Sequence, residues 1–115
     1  MNMAKIIKLP SAFVIDTKVV GVSKTNANGT SRQAIIKSEV AEGDKLVLSP
    51  EPDNAYDPNA IQVLTESKKM IGYLSKEVAG RLQNAIGSEV DIVVTASWVS
   101  GEKYIGVGLR IELVN

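Results

Sequence analysis

The stretch EPDNAYDPNAI, residues Glu51 to Ile61, decides how this chain is read. Two prolines, three carboxylates, two asparagines and a tyrosine stand between two apolar runs, Lys45 to Leu48 and Ala60 to Leu64. Each run reads as a strand, so the stretch is a strand-to-strand connection at the surface. Asp and Asn hydrogen-bond the backbone two residues on, and Pro52 and Pro58 fix φ, so the loop should hold one shape without core packing. A stiff loop presents side chains well, which makes Asp53, Asn54, Tyr56 and Asp57 the first candidates for recognition.

Composition narrows the function. At 115 residues the chain is long enough to bury a core as a single domain over residues 12–115. Thirteen basic and thirteen acidic residues cancel, which argues against coating duplex nucleic acid through net charge, so any nucleic-acid contact must be local. With no cysteine and no histidine, disulfides, thiolate nucleophiles, imidazole bases and the usual zinc-ligand sets are excluded. No apolar run approaches the roughly 20 residues of a membrane span, and the expectation is a soluble cytoplasmic protein that makes no membrane contact.

Outward from the loop, the pattern is mostly strand. Residues 1–11 read either as a tail or as a short edge strand. Ala12 to Val22 is dense in β-branched residues and reads as the first strand, with Gly21 marking a bulge or bend. Ser23 to Gly29 is a polar loop. A helix should follow, capped by Thr30 or Ser31, with Thr30 and Gln33 at capping-box spacing and a stop near Gly43. Beyond the central loop, Ala60 to Leu64 and Met70 to Leu74 form a hairpin across Thr65 to Lys69. Ser75 then caps a second helix, whose apolar residues Val78, Leu82, Ala85 and Ile86 lead to Gly87. Val90 to Trp98 and Tyr104 to Val114 make a last hairpin, and Ile105, Val107, Leu109, Ile111 and Leu113 alternate with polar or small residues. The fold class is mainly β with two short helices, an OB-like, strongly bent antiparallel sheet or partly open barrel.

The candidate chemistry is that of binding. Tyr56 offers a ring for stacking, and Asp53, Asn54 and Asp57 offer acceptors suited to hydroxyl or amino donors. The same acidic and amide residues also suit Asx turns, and both readings stand; Asn59 reads mainly as structural. A Ca²⁺ or Mg²⁺ site from Glu51, Asp53 and Asp57 is the weaker reading, because the calcium-loop spacing with its glycine is absent. Lys76 puts a cation in the first turn of the second helix, where free amides plus a lysine can hold a phosphate, or where it is an ordinary exposed lysine. Tyr73 lies just upstream, beside that pocket or against the core. Ser23, Lys24, Asn26 and Arg32 could hold phosphate or belong to a solvated connection. Trp98 and Tyr104 flank the last turn as core edge or stacking platform, and Phe13 reads as core. No phosphate-binding glycine loop, nucleophile elbow or metal helix motif occurs.

The ordered set GVS (Gly21 to Ser23), SRQ (Ser31 to Gln33), EGD (Glu42 to Asp44), EPDNAYDPNAI (Glu51 to Ile61) and IGYLSKEVA (Ile71 to Ala79) resembles the HIRAN domain over roughly Phe13 to Leu113. The likeness is to the stand-alone bacterial or phage form, related to the amino-terminal domain of the helicase-like transcription factor. It implies an OB-like module that captures the 3′ end of single-stranded DNA. Carried over by position, Tyr56 would stack on a terminal base, Asp57 would accept a hydrogen bond from the 3′ hydroxyl, Asp53 and Asn54 would line the pocket, and Lys76 would hold a phosphate. Tyr73 stands where the eukaryotic domain has histidine, Tyr104 near a stacking aromatic of its last hairpin, Ser23-Lys24 where it has arginine-tyrosine, and Asp53 where it has asparagine.

The expected function is therefore binding of single-stranded DNA with preference for a free 3′-hydroxyl end, without catalysis, cofactor or metal, beside a helicase or nuclease partner. The alternative is a protein-interaction module using the same loop; a hydrolase has only three acidic side chains in its favour.

Overall fold

The computed structural model describes residues 13–114. The tail or edge strand expected at residues 1–11 lies outside the described residues. In chain order the elements are β1 (Val14–Lys18), α1 (Arg32–Glu39), β2 (Lys45–Pro50), β3 (Ile61–Leu64), β4 (Met70–Tyr73), α2 (Lys76–Leu82), β5 (Asp91–Ser100) and β6 (Gly106–Val114).

The six strands form one antiparallel sheet in the order β1-β6-β5-β2-β3-β4, curled into a half-barrel. β2 makes the bend. Its first residues, Lys45 and Leu46, pair with β5, and Val47 to Pro50 pair with β3, so the strand passes from one half of the curl to the other. Curling brings the sheet edges together at a single bridge: Val20 N donates to Tyr73 O at 2.8 Å and Tyr73 N donates to Val20 O at 3.0 Å. Backbone groups that an open sheet would leave exposed are paired there.

The core lies inside this curl. On β6, Val107, Leu109, Ile111 and Leu113 point inward as the alternation requires, and they meet Ile36 of α1, Ile61 of β3, Ile71 of β4 and Leu82 of α2. Each such side chain contributes roughly 1.5–3 kcal/mol by leaving water. β5 changes parity at a bulge between Ala96 and Trp98, which turns Trp98 outward while Val99 stays against the core. Trp98 lies across β6, where glycine at 108 leaves room for the indole: a Cβ built there would meet Trp98 Nε1 at 2.0 Å. The indole thus lies on the outer side of the sheet and is 41% exposed. Phe13 is only partly buried and packs on the core's rim.

Several boundaries differ from the sequence reading. The first strand ends at Lys18 and resumes only as the bridge at Val20, because Gly21, at φ +82°, turns the chain away from the sheet. Of the two caps expected for α1, Ser31 is the one used, its side chain accepting from Ala34 N at 3.2 Å. Gln33 does not close a capping box. Its amide instead donates to Val22 O and Ile105 O and accepts from Ile105 N, at 3.1, 2.9 and 2.8 Å, a tertiary demand that outweighs the local one. α1 stops at Glu39, before Gly43, since Asp44 draws Ala41 N into a turn at 2.8 Å. Ser75 caps α2 as expected, accepting from Val78 N at 3.2 Å. That helix ends at Leu82, and turns carry Ala85 and Ile86 to Gly87, at φ +85°.

Candidate nucleic-acid interface

The connection from β2 to β3 is built from its own hydrogen bonds. Its ends are clasped by Glu51 N to Ala60 O at 2.9 Å, and Ala60 N donates to Asp57 O at 3.0 Å. Asn54 fixes the tip: its Oδ1 accepts from Tyr56 N and Asp57 N at 2.8 and 2.9 Å, and its Nδ2 donates to Glu51 Oε1 at 2.8 Å. Asp57 Oδ1 accepts from Asn59 N at 2.9 Å, an Asx turn, and Gln83 of the turn after α2 ties the loop down through Asn59 O at 2.8 Å. For Asn54 the turn-forming reading is therefore the one its atoms show. Asp57 has one oxygen in the turn and is half-buried.

This framework leaves the Tyr56 ring 95% exposed. A ring held on a pinned backbone loses little freedom when another ring stacks on it. Asn54, Tyr56, Asp57, Tyr73 and Lys76 border one open concavity of about 330 Å³, floored by Ala60 and Leu74. α2 delivers Lys76 to it because Ser75 starts the helix where β4 ends. Asp53 is exposed and outside that lining, as are Ser23 and Lys24. Tyr104, half-exposed, lies on the last hairpin with Lys103 Nζ 5.7 Å from its ring centre. Gln33 binds both Val22 and Ile105, so Ser23 and Tyr104 are neighbours of a common anchor.

Behind the loop stands a network that sequence reading did not assemble. Glu51 accepts from Asn54 and from the Tyr73 hydroxyl on Oε1, at 2.8 and 2.7 Å, and from Gln62 on Oε2 at 2.7 Å. Hydrogen bonds from Asn54 and Tyr73, then Gln62 and the field of Arg32, hold its carboxyl below the usual range despite partial burial. Burial and the Glu51 bond push the Tyr73 phenol up. The Tyr73 hydroxyl is thus engaged by Glu51 within the protein. Arg32, almost fully buried, lies 5.6 Å from the centre of that ring. Glu51 entered the sequence argument only as a metal ligand, but its oxygens face amide and hydroxyl donors. The glutamate that opens the EPDNAYDPNAI stretch and the glutamine alternating on β3 were the available signals.

Among the described residues no group of three His, Cys, Asp or Glu side chains is placed to hold a metal ion, and no helix is long and apolar enough to cross a membrane. The concavity instead gathers an exposed aromatic face, a carboxylate and a lysine.

Comparison with known proteins gives the same picture of the fold. Among solved structures, the HIRAN domain of human HLTF superposes with a TM-score of 0.68 at 22% identity, over 87% of this chain and 74% of that one. A Lactobacillus plantarum protein superposes with a TM-score of 0.62 at 18% identity, over 89% and 97%. In sequence, the Fanconi-associated nuclease 1 homolog of Oryza sativa subsp. japonica is 36% identical over 72 residues, which are 60% of this chain and 6% of the relative's length. The family model of the HIRAN domain, a binding domain and not a catalytic one, matches residues 14–114. The chain therefore belongs to the HIRAN domain family, a family known for DNA binding.

Proposed function

We propose that this chain binds single-stranded DNA and prefers a free 3′-hydroxyl end. The observation that carries the reading is the convergence of Tyr56, Asp57, Tyr73 and Lys76 on one concavity beside a self-braced loop. Tyr56 stacks on the terminal base. Asp57 accepts from the 3′ hydroxyl through the carboxylate oxygen its Asx turn leaves over, and Lys76 takes the adjoining phosphate. Asn54 and Glu51 position these groups, and the Tyr73 ring forms a wall. Ser23, Lys24, Asp53 and Tyr104 lie further out, where a strand longer than the terminal nucleotide would pass.

A carboxylate at the strand end explains the preference: it accepts a hydrogen bond from a hydroxyl and repels a terminal phosphate. One stack, at about 1–3 kcal/mol, and one or two phosphate contacts give modest, salt-sensitive affinity. We further propose that the domain acts beside a nuclease or helicase, a partner class in keeping with the name of the rice relative.

The test is fluorescence anisotropy with a short single strand bearing a 3′ hydroxyl against the same strand bearing a 3′ phosphate, at low and physiological salt. Tighter binding of the hydroxyl form supports end recognition by Asp57. Equal binding to both refutes it and turns attention to a protein ligand for the same loop.

A further inference from the structure

A second, larger concavity also borders Tyr73. It measures about 740 Å³ between the loop before α1, α1 itself and the β3–β4 hairpin, and its charged and amide walls are Arg32, Glu39, Glu51, Gln62, Lys68 and Lys69. Small-ligand sites commonly measure about 300–1,000 Å³.

Arg32 is 7% exposed. Its Nε donates to Asn26 Oδ1 at 2.7 Å and its Nη1 to Gly21 O at 2.9 Å, while the guanidinium carbon lies over the Tyr73 ring, 5.6 Å from its centre. Nη2 has no such bond among the described residues. Every buried side-chain nitrogen and oxygen there does have a partner, so Nη2 is the atom that reaches open space, and the concavity is the space Arg32 lines.

The charge around it is incomplete. The ion pairs among the described residues are Lys69 with Glu39 and Arg110 with Glu112, so no carboxylate stands at contact distance from Arg32. Glu51 shares the cavity, but three donors already occupy it. Both hydrogen bonds of the guanidinium go to neutral oxygens and the Glu51 carboxylate reaches it only through its field, so an anion at Nη2 would supply the contact partner this charge lacks. Lys68 supplies a second cation on the wall, exposed and at φ +72°. A lysine in that left-handed conformation costs roughly 1 kcal/mol that glycine or asparagine would spare.

We propose that this cavity is a phosphate site, with the solvent-reaching Nη2 of the otherwise buried Arg32 as its donor and Lys68 as its rim cation. The phosphate is an internal one of the strand whose end lies in the Tyr56 concavity, a step that rests on the single-stranded DNA reading.

The full chain, labelled with ¹⁵N, is titrated with inorganic phosphate, with a mononucleoside 5′-phosphate and with a single-stranded tetranucleotide carrying a 3′ hydroxyl. The Arg32 Nε–H signal and the amides of Lys68, Tyr56 and Lys76 are followed. The tetranucleotide is expected to move all four. Lys68→Asn, which keeps the left-handed backbone, should weaken tetranucleotide binding by about 2- to 5-fold and lower the salt slope by about 0.7. Movement of Tyr56 and Lys76 with Arg32 and Lys68 unmoved overturns the cavity proposal and leaves end binding intact. Movement of Arg32 and Lys68 with the mononucleotide or phosphate, while Tyr56 and Lys76 stay still under every ligand, supports the phosphate site and refutes the DNA-end reading. No movement anywhere refutes both.

Discussion

Glu51→Gln removes one charge from the network behind the recognition loop and keeps the side chain's shape. The amide oxygen can still accept from Asn54 and Tyr73, as Oε1 does at 2.8 and 2.7 Å, but without ionic reinforcement. The new amide faces Gln62, which must turn over to present its oxygen. Hydrogen bonds to a charged group contribute about 1.5–3 kcal/mol and neutral ones about 0.5–1.5. Two weakened bonds at a half-buried site, discounted for solvent, give a loss of about 1–2 kcal/mol at pH 7. The melting temperature should fall by roughly 3–10 °C. The pH dependence follows from the direction of the shift. The Glu51 carboxyl is held below its unfolded pKa, so its contribution is fully present above about pH 4.5 and is lost as pH falls through the folded pKa. Thermal melts followed by circular dichroism between pH 7 and pH 3 should show wild type and variant converging in acid. Equal melting temperatures at pH 7, or a gap that persists unchanged at pH 3, would refute the role given to the ionised carboxylate.

Tyr56→Ala should weaken single-strand binding by about 1–3 kcal/mol, roughly 5- to 150-fold by anisotropy, and leave the melting temperature unchanged because the ring is 95% exposed. Lys76→Ala should lower affinity for every sequence alike and reduce the salt slope by about 0.7, read from titrations at several salt concentrations. Gly72→Ala places a Cβ 2.4 Å from Val19 Cγ1 and 2.5 Å from Val20 O, directly under the bridge that joins the sheet edges. A loss of about 2–4 kcal/mol in urea denaturation is expected, and an unchanged midpoint would show that the edges can separate freely.

Much of the architecture was legible because it is written in short-range patterns. The period of two from Ile105 to Leu113 gave the inward face of β6, and Ser75 with Val78 and Leu82 gave α2. The proline and asparagine content of residues 51–61 foretold a self-braced loop. What the sequence could not show were partnerships between distant positions. Gln33 looked like a helix-capping residue and is spent on Val22 and Ile105, 72 positions away in the latter case. Arg32 looked like part of a basic loop and is buried under Tyr73. Glu51 and Gln62 could each be noticed in the sequence, but their joint role exists only once β2, β3 and β4 lie side by side. At the candidate site, the loop and Lys76 could be anticipated from their own neighbourhoods, whereas the supporting network could not.

The bridge between Val20 and Tyr73 also bears on the order of assembly. It joins residues of which one follows a strand paired with the chain's far end, Val14 opposite Glu112, and the other closes the β3–β4 hairpin. Closing loops of that length costs entropy before any contact repays it, so short-range hairpins form early and this seam late. Tyr73 is a wall of both concavities. The concavity of Tyr56 and Lys76 draws only on residues 54–76 and so belongs with the short-range hairpin, whereas the one lined by Arg32 also needs residues 26–39 brought against that hairpin.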